Sequence, residues 1–239
     1  MPWPAACPAN RTGRSPGAAP GKGGTVPERP LPSRLQAERG ITLQARWDAP
    51  PDPSGPVVVL CHPHPLYGGT MDVPLLRTVA ARLARAGCPV LRFNFRGVGA
   101  SGGSWSGGEA EADDVGVAAA AATTAFPLLP LALAGWSFGA VMALRWQADT
   151  GGTGPFAGIA PPVGSDLSPP LPAPEGLPPA RRLFLIGDRD QFTPVERLSA
   201  YAATAGASLL VLPGSDHFFY GREARVADAL ITHFAPAGA

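Results

Sequence analysis

Leu131 to Ala134 is a short apolar run, and Gly135-Trp136-Ser137-Phe138-Gly139 follows it without a gap. From Ala140 to Asp149 the spacing of Val141, Leu144 and Ala148 predicts a helix. A strand, a sharp turn and a helix leave the serine at a helix N-terminus, where unpaired amides and the dipole favour a developing negative charge. The two glycines have a steric task, because Cβ atoms in so tight a turn would strike the flanking strand and helix. In a chain with 30 glycines among 239 residues, G-x-S-x-G alone is a weak signal. Bracketed by a strand and a helix, it reads as a nucleophile elbow with Ser137 at its apex.

The rest of the chain alternates in the same way. Val57 to Cys61 is a continuous run dominated by valine, the mark of a strand covered on both faces. Strands are also expected at 90–95, 156–160, 183–186 and 209–212. Helices are expected through Leu76, Val79, Ala80 and Leu83, at 109–122, at 195–205, and at 222–234 with Val226, Ala229, Leu230 and Phe234 inward. The acidic turn Glu109 to Asp114 is assigned to the dipole of the second of these. Segments 35–38 and 41–47 form an antiparallel hairpin at a sheet edge. This is an α/β chain: a mostly parallel sheet with helices on both faces, whose ligands sit outside the carboxyl ends of the strands. The loops expected there are 62–69, 96–108, 136–139, 188–194 and 214–220.

Those loops hold the remaining chemistry. A serine hydroxyl needs a base, and the base needs an orienting acid. Asp190 follows the strand at 183–186, and His217 follows the last strand, so Ser137, Asp190 and His217 occur in the order this architecture requires. Asp188 is the rival acid and is assigned to bracing its own turn; Asp216 is assigned to anchoring its own loop. His233 belongs to the last helix as a surface or packing residue. The tetrahedral intermediate needs two backbone N–H donors. Phe138 is one. In His62-Pro-His-Pro-Leu-Tyr-Gly-Gly69 the prolines have no N–H, so His64 supplies the only amide between them, with Leu66 in reserve. Tyr67, Trp105, Trp136, Phe192 and Phe218 are the large side chains available to wall a substrate pocket. His62-Pro-His64 also raises a zinc site, but no third ligand set accompanies it, so no metal is expected.

The net charge of +1 argues against nucleic acid or an anionic membrane surface as a partner. Apolar runs fall short of the ~18 residues of a membrane span, and no secretory segment follows Met1. Three cysteines, two of them expected at opposite ends of neighbouring strands, suggest reduced thiols and a cytoplasmic protein. Residues 1–33 are Pro, Gly, Ala and Arg with little to bury, and are expected to be a disordered tail before a folded domain at 34–239.

His-Pro-His-Pro-x-x-Gly-Gly, Asn94-Phe-Arg-Gly-Val-Gly-x-Ser101, Gly-Trp-Ser-Phe-Gly and Gly187-x-x-Asp190 together resemble the α/β-hydrolase superfamily from about Ile41 to Phe234, and within it the small lidless bacterial hydrolases akin to dienelactone hydrolases. The resemblance implies a serine esterase mechanism on a small-molecule ester, without metal or organic cofactor. Thioester or amide hydrolysis, acyl transfer, and a catalytically silent binding scaffold are the alternatives. Two departures stand out: the abbreviated N-terminal hairpin suggests a reduced sheet, and the prolines of 161–179 leave no room for a helical lid.

Overall fold

The computed structural model describes residues 31–166 and 168–235, so most of the expected tail lies outside the described residues. The strands are β1 (Arg34–Gln36), β2 (Thr42–Asp48), β3 (Val57–Cys61), β4 (Val90–Phe93), β5 (Leu131–Trp136), β6 (Phe156–Ile159), β7 (Arg182–Gly187) and β8 (Ser208–Leu212). The helices are α1 (Pro74–Arg85), α2 (Glu111–Ala125), α3 (Phe138–Thr150), α4 (Val195–Thr204) and α5 (Glu223–Phe234). They build an α/β-hydrolase fold. The single sheet runs β1-β2-β4-β3-β5-β6-β7-β8, with β1 and β2 antiparallel and every pair from β4 to β8 parallel.

All five residues of β3 are buried because helices cover both faces of the sheet. One face packs α2, α3 and α4 through residues such as Val115, Val141 and Leu198; the other packs α1 and α5 through Leu76, Val79, Val226 and Leu230. Each such aliphatic side chain contributes about 1.5–3 kcal/mol by leaving water, which is what holds the strand termini in register.

The expected reduction of the sheet is not found, since β1 still pairs with β2 from Arg34↔Gln44 to Gln36↔Thr42 and eight strands result. Three residues suffice there because Leu35 is buried and the amide of Ala45 donates to Ser33 O. Leu31 packs on the same core, and Trp47 Nε1 donates to Pro32 O. Between β6 and β7 the described connector contains one 3-10 turn, Pro174–Gly176, and no lid helix.

Candidate active site

Five loops meet at the carboxyl end of the sheet. The turn between β5 and α3 puts Ser137 at φ 55° and ψ −122°, a left-handed conformation costly for a residue with a Cβ. It persists because its surroundings leave no alternative. The Ser137 amide donates to Ile159 O at 2.8 Å. A Cβ on Gly135 would collide with the backbone of Gly139, and one on Gly139 with the carbonyls of Cys61 and His62. The second glycine therefore lets the N-terminus of α3 lie against the loop after β3.

That loop is pinned from within. His62 is fully buried, and its Nε2 accepts the Phe95 amide at 3.0 Å. An amide can only donate, so the ring proton is on Nδ1, which donates to Pro63 O at 2.6 Å. Both ring nitrogens are thus taken inside the protein. Burial pushes the imidazole pKa down to about 4. With the folded value below the unfolded one, this contribution to stability is complete above about pH 6.5 and is lost as pH falls through about 4. The His62 ring should stay in the neutral Nδ1–H form until about pH 4 in a nitrogen NMR titration; ordinary titration near 6.5 would show that it is solvated instead.

His64 caps the 3-10 turn Pro65–Tyr67, its Nδ1 accepting the Leu66 amide at 3.2 Å. Leu66, the reserve oxyanion donor, is therefore already engaged. A Cβ on Gly69 would meet Pro63 O and His64 O, so the loop curls only with glycine there. Two buried polar residues, Arg92 in β4 and Asn94 just after it, hold its far side. Asn94 Oδ1 accepts the Met71 amide at 2.8 Å, and Arg92 donates to Met71 O at 2.7 Å and to Asp72 and Asp48.

The acidic turn at α2 is not the simple dipole complement expected. Glu111 and Asp114 are buried because they organise the neighbouring glycine-rich loop. Glu111 accepts from Ser106 and from the Gly108 amide, and Asp114 accepts the Arg96 amide and pairs with its guanidinium at 2.6 Å.

His217 Nδ1 lies 2.8 Å from Asp190 Oδ2, whose side chain is completely buried, while Asp190 Oδ1 accepts the amides of Phe192 and Thr193. The carboxylate is thus fixed at one oxygen and committed to the histidine at the other. That leaves Nε2 of His217 as the acceptor. Its backbone is held as well: Trp136 Nε1 donates to His217 O at 3.2 Å, and the His217 amide donates to Gln191 Oε1 at 3.3 Å. Trp136, Phe192 and Phe218 surround the ring at centroid distances of 5.9, 4.7 and 5.7 Å. Asp188, the rival acid, points elsewhere. It does more than brace its own turn, since its Oδ1 accepts the Ser215 amide at 3.2 Å and ties β7 to the histidine loop. Asp216 anchors its own loop through the amides of Phe218 and Phe219.

Ser137, His217, His64 and Phe138 line one cavity of about 590 Å³, together with Tyr67, Trp136, Phe192 and Phe218. Asp190 sits behind His217. Trp105 does not reach this cavity; it packs behind His64 and Phe138 at 4.8 and 5.1 Å between ring centroids. Gln191, Arg92, Tyr220 and Glu223 carry no signal in the sequence that marks them for the site. The motif beginning at Asn94 is the one signal near Arg92.

A nucleophile elbow and a His–Asp pair at the carboxyl end of this sheet define a serine hydrolase of the α/β type. Residues 53–175 match the family described as serine aminopeptidase, S33, and the chain belongs to that family. It is 31% identical over 189 residues to an uncharacterized protein of Rickettsia prowazekii, covering 74% of this chain and 77% of that one. Among solved structures it is similar to a lidless α/β serine hydrolase from Xanthomonas campestris (32% identity, TM-score 0.74, 86% of this chain and 95% of that one). It is also similar to an α/β serine hydrolase homologue from Coxiella burnetii (29%, TM-score 0.75, 84% and 96%). Cys61 and Cys88 are buried and unpaired, and among the described residues no helix is long and apolar enough to cross a membrane.

Proposed function

We propose that the protein is a carboxylesterase-like hydrolase acting on small soluble acyl or aryl esters through Ser137, His217 and Asp190. The observation that carries this reading is the Asp190–His217 pair opening on the same cavity as the strained Ser137. Ser137 Oγ attacks the ester carbonyl as His217 Nε2 takes its proton. The carbonyl oxygen becomes an oxyanion held by the amides of His64 and Phe138. His217 then returns the proton to the leaving alcohol oxygen, and the C–O bond breaks to leave an acyl-enzyme. Water, deprotonated by the same histidine, releases the acid and restores the serine. Asp190 keeps the proton on Nδ1 and stabilises the imidazolium, which is why its second oxygen is tied to two amides.

A cavity of about 590 Å³ suits a small ligand, and its mostly apolar walls suit an acyl or aryl group. The motifs His-Pro-His-Pro-x-x-Gly-Gly and Asn94-Phe-Arg-Gly support, on this reading, a kinship with hydrolases akin to dienelactone hydrolases. Amide hydrolysis is the second reading, favoured by the description of the matched family.

A fluorophosphonate probe should label Ser137, as mapped by mass spectrometry, and labelling elsewhere or not at all would refute the mechanism. Acetyl, butyryl and aryl esters should be turned over faster than palmitoyl ones, without activation at an oil–water interface. A matched aryl ester and aryl anilide separate the two readings: faster cleavage of the anilide would favour the amide.

A further inference from the structure

The residues after His217 line the cavity with a chemistry unlike the rest of it. Glu223, the first residue of α5, is the one Asp, Glu, Lys or Arg among the described residues that line the cavity. It is partly buried, and among the described residues its carboxylate has neither a hydrogen bond nor an ion pair. Phe218 and Tyr220, which line the same cavity, are stacked on each other at 5.7 Å and 19°. A carboxylate next to aromatic faces is the combination that holds an organic ammonium, by charge and by the ring quadrupole.

Position in the reaction says which part of the substrate this wall meets. The acyl oxygen faces the amides of His64 and Phe138. The alcohol oxygen takes its proton from His217, so the alcohol portion lies against the segment that carries His217 and continues to Glu223. We propose that the cavity selects esters whose alcohol portion bears a positive charge, with Glu223 as the residue that recognises it. This rests on the ester-hydrolase reading above. The helix dipole also favours a carboxylate at the start of α5, but that effect acts on stability and is blind to the charge of the substrate.

The test compares two butyrate esters of the same shape, one of 2-(trimethylammonio)ethanol and one of 3,3-dimethylbutan-1-ol, on the full chain. The wild type should favour the cationic ester in kcat/KM by about tenfold at low salt. That ratio should fall toward one in Glu223→Gln and, through screening, at about 0.5 M salt. A partly misfolded variant lowers both rates, so the ratio still reports. Equal rates in the wild type, or a preference that survives Glu223→Gln, overturn the proposal. A cation preference confined to α-aminoacyl esters puts the charge on the acyl side and overturns it too. If neither ester is hydrolysed, the ester reading has failed. Calorimetric titration of Ser137→Ala with the two alcohols then decides the cation site alone: tighter binding of the charged alcohol, lost on adding Glu223→Gln, supports it, and equal binding overturns it.

Discussion

Ser137→Ala should abolish ester turnover, and Asp190→Asn should lower kcat by about 10⁴ while Asp188→Asn leaves it nearly intact. The magnitude follows from the geometry of the pair. Asp190 Oδ2 accepts the Nδ1 proton of His217, and Oδ1 is occupied by two amides, so an asparagine turned to satisfy the histidine must offer its amide group against one side or the other. With its oxygen toward the histidine, the NH2 opposes the amides of Phe192 and Thr193. In the favoured orientation the oxygen keeps those amides and the NH2 faces Nδ1, which drives the imidazole to the tautomer with its proton on Nε2, unable to accept from Ser137. Asp188 accepts one amide, that of Ser215, and asparagine can do the same through its carbonyl oxygen. Steady-state kinetics on a short-chain aryl ester, with thermal unfolding as the control for structure, separates the two. A mild Asp190→Asn and a severe Asp188→Asn would reverse the assignment.

His64→Pro should lower kcat by about 10²–10³, the usual value of one oxyanion donor, while His64→Ala keeps most of the activity. The backbone makes this an unusually clean comparison. His64 has φ −52°, already within the range of proline, so the substitution removes the N–H with little change of path. The imidazole has its own task, accepting the Leu66 amide as the cap of the 3-10 turn. Its loss in the alanine variant should cost about 1 kcal/mol of local stability rather than the oxyanion site. Circular dichroism establishes that the proline variant folds. Equal losses from both substitutions would show that the side chain acts in the reaction and that the backbone assignment is wrong.

Much of this site is visible in linear order. The elbow is local: strand, turn and helix follow one another within about twenty residues, and the glycines reveal where Cβ atoms do not fit. The prolines flanking His64 remove donors by covalent structure, so counting the remaining amides needs no fold. Alternation of strand and helix brings every strand's carboxyl end to one edge, which is why Ser137, His217 and Asp190 were expected together. Of the ten residues named for the site, eight line the cavity; Asp190 lies behind its histidine, and Trp105 packs on His64 and Phe138 instead.

The choice between Asp188 and Asp190 is of another kind. Both lie on one tight turn after β7, and which carboxylate meets His217 depends on how that turn abuts the loop after β8. Gly187 sits against the Ser215 carbonyl at that point, a contact between residues far apart in the chain. The buried charges have the same origin. Burial of a charge becomes tolerable only when a partner arrives, and the partners of Arg92 and Asp114, namely Asp48, Asp72 and Arg96, come from segments distant in sequence that the insertion of β4 between β2 and β3 brings alongside. Trp105 and Glu223 complete the contrast: an aromatic expected to wall the pocket packs on His64 and Phe138 instead, and a first-turn glutamate of α5 lines the cavity. Periodicity reports which face of an element is covered, whereas the direction in which a loop's side chains point is decided by the packing of elements distant in sequence.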